Sequence, residues 1–253
     1  MKTSAGWVLA WGLLAGCSSA MTPPPQSAGD VGLDAPRTDA GGPTDAALDA
    51  GPEAAAPDAG PPEPSFRVLP YLSEAPVRSF SAPPTMMLDA SLQYRAEMVT
   101  DVGTMRFRLY AEQTPNTVNS FVFLARHHFY EGIAFHRVIE GFVVQGGDPN
   151  TVSGPPNTWG RGGPGYGFGI EIVPELIFEG PGVLGMARSA SPNSNGSQFY
   201  VTYGSTPSLN GQYTVFGQLI ENESFLTLTR VAPGQPPRTP TRIVRVDILV
   251  APR

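Results

Sequence analysis

Phe135-His136-Arg137-Val138-Ile139-Glu140-Gly141-Phe142-Val143-Val144-Gln145-Gly146-Gly147-Asp148-Pro149 is the stretch on which the reading of this chain turns. It sets one arginine among apolar and aromatic side chains, adds a glutamine, and closes on paired glycines. An arginine in such surroundings costs free energy to bury unless its five donors are used. It therefore either bridges strands or acts on a bound molecule. On spacing alone the bridge is the commoner case, and Phe142 and Val143 alone would be core.

Working outward, the flanking sequence reads as short strands with few helices. Tyr94, Ala96 and Met98 alternate with Arg95, Glu97 and Val99, the pattern of a half-buried strand. Thr100-Asp101-Val102-Gly103 is a turn, and Met105, Phe107 and Leu109 then alternate with Arg106, Arg108 and Tyr110, which completes a hairpin. A helix follows, with Thr114 as N-cap and Pro115 at its first position. Its stripe is Val118, Phe121, Val122 and Ala125. A weaker helix starts at Asn222 with Phe225, Leu228 and Val231 inward. Val244, Val246, Ile248 and Val250 alternate in a last strand. This balance predicts an all-β barrel or sandwich. Residues 66–87, interrupted by Pro70, Pro76, Pro83 and Pro84, carry no lasting period and are left as an extension.

The opening stretch resembles the signature of the cyclophilins, the peptidyl-prolyl cis–trans isomerases of that fold. The likeness spans about Leu88 to Val250. It includes Pro115 to Leu124, Phe129-Tyr130-Glu131-Gly132, Gly182 to Arg188, Pro192 to Thr202 and Leu209 to Gly217. It implies a closed eight-stranded antiparallel barrel capped by two α-helices over residues 88–253. It also implies an enzyme that needs no cofactor and no metal. An X–Pro bond turns slowly because amide resonance resists twisting, with a barrier of about 18–20 kcal/mol. Binding the twisted form better than either planar isomer is sufficient catalysis. By resemblance, Arg137 donates a hydrogen bond to the pyramidal proline nitrogen, an interaction worth about 1.5–3 kcal/mol.

The same resemblance assigns the binding residues. Phe142, Val143, Tyr200 and Leu209 form the proline pocket. Gln145 and Gln198 hold the substrate backbone and orient the arginine. Ala187 and Arg188 form the edge that pairs with the extended peptide, and Tyr213 falls where many members carry histidine. Three positions depart from the family habit. Tyr200 replaces a phenylalanine and brings a hydroxyl that needs a partner. Val143 replaces a methionine. Ser208 stands where tryptophan supports cyclosporin binding in many eukaryotic members, so weak drug binding is expected. A low-turnover binding module for proline-containing segments is the alternative that Tyr200 and Val143 leave open.

The N-terminus sets the compartment. Lys2 and the apolar Trp7 to Ala15 form an export signal too short for a transmembrane helix. It ends in Leu14-Ala15-Gly16-Cys17, which resembles a bacterial lipobox. Residues 1–16 are thus expected to be a lipoprotein signal and Cys17 the lipidated first residue, anchoring the chain to a membrane of the cell envelope on its periplasmic or outer side. Cys17 is the only cysteine, so no intramolecular disulfide can form. Residues 17–65 are rich in Ala, Pro, Asp and Gly and lack aromatic residues, a composition that predicts a disordered linker.

The formal net charge of −6 is essentially that linker's charge plus Lys2, while acids and arginines balance from Phe66 onward. Neither part favours nucleic acid as a partner. His127 and His128 are adjacent and lack a cysteine partner in the folded part, which argues against zinc. The glycine-rich run 160–169 has neither a leading strand nor a following lysine, so it is no phosphate loop. His136 is expected to be a packed, hydrogen-bonded residue. The expected partners are proline-containing polypeptides, and with no oligomer signal a monomer is expected.

Overall fold

The computed structural model describes residues 64–253. The expected signal, Cys17 and nearly all of the linker lie outside the described residues. In chain order the strands are β1 (Arg67–Val68), β2 (Leu92–Thr100), β3 (Gly103–Leu109), β4 (Arg137–Ile139), β5 (Val143–Gly146), β6 (Val183–Met186), β7 (Phe199–Thr202), β8 (Val215–Ile220) and β9 (Ile243–Pro252). Helix α1 spans Pro115–Arg126 and α2 spans Asn222–Arg230. The predicted hairpin is β2–β3, with Met98 opposite Met105 and Thr100 opposite Gly103. Gly103 makes that turn at φ +137°, a conformation few side chains tolerate.

The strands form one antiparallel sheet in the order β1-β9-β2-β3-β8-β6-β7-β5-β4. The expected closed eight-stranded barrel is corrected here: among the described residues there are nine strands, and no ladder joins β4 to β1. Instead, the chain leading into β4 meets the chain entering β9 through single backbone bonds. Gly132 N–H donates to Ile243 O at 2.7 Å and Phe135 N–H to Thr241 O at 3.0 Å. Ile243 N–H donates back to Ile133 O at 2.9 Å, and Ala134 and Arg242 form an isolated antiparallel bridge, short of a ladder.

The inner face of the sheet and α1 share one core. Met98, Met105, Phe107, Phe121, Phe199 and Phe216 are fully buried in it. The α1 stripe of Val118, Phe121, Val122 and Ala125 is buried as its spacing required. In α2, Leu228 is buried, Val231 just beyond it is buried, and Phe225 is partly covered. One expectation fails in β9. Val244 is 50% exposed, and Ile243 takes the inward place. A bulge between Val99 and Thr100 pairs Thr100 with Ile243 and leaves Val244 unpaired, which shifts the alternation by one residue.

The N-cap of α1 also differs. The Thr114 hydroxyl turns back to Tyr110 O at 3.2 Å and does not cap the helix. The cap is Glu171, whose carboxylate accepts from Asn116 N–H at 3.1 Å, Thr117 N–H at 2.8 Å and the Thr117 hydroxyl at 2.7 Å. A carboxylate at this end meets both the orphan N–H groups and the positive end of the helix dipole. It also ties the segment before β6 to α1.

The extension packs on the domain. Leu69 N–H donates to Ile248 O, Leu72 N–H to Arg126 O and Val77 N–H to His127 O, at 2.7, 2.7 and 3.0 Å. Arg78 donates to the carbonyls of Phe129 and Glu131, just beyond the C-terminus of α1. Phe80 meets Phe123 edge-on at 4.8 Å. Tyr71 stacks on His128 at 3.9 Å and donates to Asp247 at 2.5 Å.

Candidate active site

Strand register builds the site. Arg137 lies opposite Gln145, Gln145 opposite Tyr200, and Tyr200 opposite Gly185. Because directly opposed residues share a face, these four form one row across β4, β5, β7 and β6. Their sequence neighbours Val138, Val144, Val201 and Leu184 face the other way, into the main core. The row therefore stands on the outer face, where Val143, Phe178, Val183, Tyr200 and Val215 form a second apolar cluster.

Arg137 is half-buried and tied into a polar chain. Its Nη1 donates to Gln145 Oε1 at 3.4 Å, Gln145 Nε2 donates to Gln198 Oε1 at 3.1 Å, and Gln198 Nε2 donates to Gly162 O at 2.9 Å. The glycine-rich loop thus anchors the end of this chain through its backbone. The guanidinium carbon stands 5.8 Å from the centre of the Phe142 ring. Burial pulls the Arg137 pKa below its usual value, with Tyr213 opposing. A cation set in a partly dry, polar-braced place is equipped to donate to a developing lone pair.

Around Tyr200 lie Phe142, Ala187, Leu209 and Tyr213, each partly covered. Tyr200 stacks on Phe178 at 5.6 Å and meets Tyr213 edge-on at 5.9 Å. Its hydroxyl is buried without a hydrogen-bond partner, and desolvation pushes its pKa well up. Val143 is buried beneath this patch at 2% exposure, a wall more than a contact surface. Arg188 rests its guanidinium 4.9 Å from the Tyr213 ring and donates to Gln212 O at 2.9 Å and Ser189 O at 2.9 Å. Ala187 N–H is engaged by Gln198 O at 2.9 Å, which ties the peptide edge to the glutamine. Leu209 ends the 3-10 turn Pro207–Leu209, and Ser208 is exposed on that turn.

Two contributors escaped the sequence reading. Phe178, fully buried, forms the back of the Tyr200 pocket. Its one signal is an apolar triplet, Leu176 to Phe178, between Glu175 and Glu179. Gly185 is the other: a Cβ there would lie 2.5 Å from Tyr200 Cζ and 2.8 Å from Phe178 Cε1, so the ring rests on the bare backbone. His136 is packed as expected but has no hydrogen bond at either ring nitrogen. Burial lowers its pKa below 6.5, with Asp148 opposing and Arg137 adding to the fall.

Arg137 thus stands on the outer sheet face, braced by Gln145 and linked through it to Gln198, beside the aromatic pocket around Tyr200. The model of the family "Cyclophilin type peptidyl-prolyl cis-trans isomerase/CLD" matches residues 95–248. Peptidyl-prolyl cis-trans isomerase A of Mycobacterium tuberculosis is 43% identical over 144 residues, covering 51% of this chain and 75% of that protein. Peptidyl-prolyl cis-trans isomerase CYP18-1 of Arabidopsis thaliana is 38% identical over 157 residues, covering 60% of this chain and 94% of its own. A crystal structure of a cyclophilin type peptidyl-prolyl cis-trans isomerase from Cryptosporidium parvum superimposes with a TM-score of 0.55 at 35% identity, covering 62% of this chain and 97% of that one. A second crystal structure of that protein, in the presence of the dipeptide Ala-Pro, gives a TM-score of 0.53 at 36% identity, covering 60% and 96% of the two chains. The chain belongs to this family and is a cyclophilin-type peptidyl-prolyl cis–trans isomerase.

Proposed function

We propose that the chain isomerises X–Pro bonds of exported proteins while tethered to the cell envelope through acylated Cys17, and that Arg137 is its catalytic residue. The observation that carries the catalytic part is the Arg137–Gln145–Gln198 chain beside the Tyr200 pocket. The peptide lies along Ala187 and Arg188 with its proline ring against Phe142, Tyr200 and Leu209. As the amide twists, the proline nitrogen becomes pyramidal and its lone pair turns to the Arg137 guanidinium. Neither planar isomer offers that lone pair, so the bond strengthens only at the transition state. Gln145 restricts the guanidinium beforehand, which lowers the ordering cost at the moment of twisting. No proton is transferred, so His136 has no chemical part. The enzyme acts as a monomer, and Ser208 at the pocket rim predicts weak cyclosporin affinity.

The tether rests on Lys2, the apolar run Trp7 to Ala15, and the Leu14-Ala15-Gly16-Cys17 motif. Its test is fractionation of cells expressing the full chain, with mass analysis of the mature N-terminus. Wild type is expected in the membrane fraction as a diacylglyceryl-cysteine species. Cys17→Ser is expected to lose the lipid and leave that fraction. An unlipidated wild-type N-terminus contradicts the tether.

A further inference from the structure

The outer-face cluster continues past the proline site. Beyond Phe178 lies an open cavity of about 270 Å³, lined by Tyr110, Leu176, Val183 and Val215 and rimmed by Glu175 and Glu179. Its floor is the same apolar cluster that contains Tyr200, Val143 and Leu209. Phe178, in that cluster, is flanked in sequence by Ile177 and Glu179, which line the cavity. Both carboxylates are exposed, and neither forms an ion pair among the described residues. Arg108, exposed beside Tyr110, pairs with neither of them. The carbonyls of Gly180 and Pro181 on the rim are held by Thr202 Oγ1 at 2.7 Å and Gln218 Nε2 at 3.0 Å, which fixes the shape of the rim.

We propose that this cavity is a second subsite of the isomerase and takes an arginine or lysine side chain of the client, carried near the target proline. The inference rests on the proline-site reading above. The chemistry matches in three parts. Leu176, Val183 and Val215 cover the methylene stem, which long basic residues bury readily. Tyr110, a partly covered lining residue, supplies an aromatic ring for a cation to pack on. Glu175 and Glu179 receive the charge at the rim, where water still solvates it. An acidic side chain of the client meets repulsion at the same place, so the subsite discriminates by sign.

The test compares catalysed cis–trans exchange on peptides that carry Arg, Ala or Glu at each of the three positions on either side of an Ala-Pro bond. With wild type, at least one position is expected to favour Arg over Ala in kcat/KM by about three- to tenfold, and to disfavour Glu. The advantage is expected to shrink in high salt, because exposed charges are screened. In Glu175→Gln/Glu179→Gln the Arg/Ala ratio is expected to fall to about one. A ratio of one at every position in wild type overturns the proposal. So does a ratio that survives in the double variant. A separate titration of the Arg peptide, read by amide shifts at residues 175–181, does not depend on turnover. Shifts there with no catalysed exchange on any peptide would keep the subsite and sink the isomerase reading. Exchange without such shifts would sink the subsite and keep the isomerase reading.

Discussion

At the scale of single residues, the site depends on what is missing as much as on what is present. Gly185 lets the Tyr200 ring lie flat against the sheet between Phe178 and Tyr213. A methyl group there cannot fit without moving the ring, and overpacking of this kind costs about 1–3 kcal/mol. We expect Gly185→Ala to lower kcat/KM for X–Pro exchange about tenfold by pushing Tyr200 into the space of the proline ring. Adding Tyr200→Leu should restore part of the loss. An active Gly185→Ala enzyme would show that the pose of Tyr200 does not shape the pocket.

His136 makes a different kind of prediction at this scale. Its folded pKa lies below the usual 6.5, so the unfolded chain binds a proton there before the folded one does. Stability from this group is therefore full above about pH 6.5 and falls as the pH drops from there towards the folded pKa, by up to about 1.4 kcal/mol per pH unit. Thermal melts between pH 7 and pH 5 should show Tm falling in wild type and a shallower slope in His136→Gln. Equal slopes would remove His136 from the acid response.

At the scale of elements, the ends of α1 are secured by residues distant in sequence. Glu171 caps its first turn from a separation of 54 or 55 positions, and Arg78 binds carbonyls just past its last. Glu171→Ala should cost about 1–2 kcal/mol in urea unfolding, because it removes a charged cap and leaves N–H groups unpaired. It should also loosen the 170–178 segment that carries Phe178, so amide exchange should quicken in both places. Faster exchange in α1 alone would show that the cap does not secure the segment behind the pocket.

These elements also show what sequence can and cannot reveal. The β2–β3 hairpin and the α1 stripe were legible because one face of each is buried, which imposes a period of two or of 3.6. Val244 was misplaced because a bulge adds a residue without leaving a mark in apolar spacing. Thr114 fits the cap preference, yet a distant carboxylate took the role, and local propensity contains nothing of that competition. The extension was opaque because much of its attachment is backbone to backbone, Leu69 to Ile248 and Val77 to His127 among them. Of the site, residue chemistry alone raised Arg137 as a question. The resemblance supplied Gln145, Gln198, Tyr200 and the rest. Phe178 and Gly185 needed the register of β6 and β7.

For the whole molecule, one sheet serves two purposes. Its inner face holds the core with α1, and its outer face presents a polar row and an apolar cluster in continuous register. The strands set Arg137 against Gln145, and in the mechanism we propose the cation is thereby held ready for a lone pair that exists only while the bond is twisted. The measurement that tests this most directly is NMR exchange on a short Ala-Pro peptide with the chain from residue 64 onward, wild type against Arg137→Ala. Folding of the variant is checked by its amide spectrum. We predict catalysed exchange in wild type and a loss of more than about tenfold in the variant, the worth of one charge-assisted hydrogen bond. Undiminished exchange in a folded Arg137→Ala protein would contradict the role assigned to the arginine. Peptide binding without exchange in wild type would make the site a proline-segment binder.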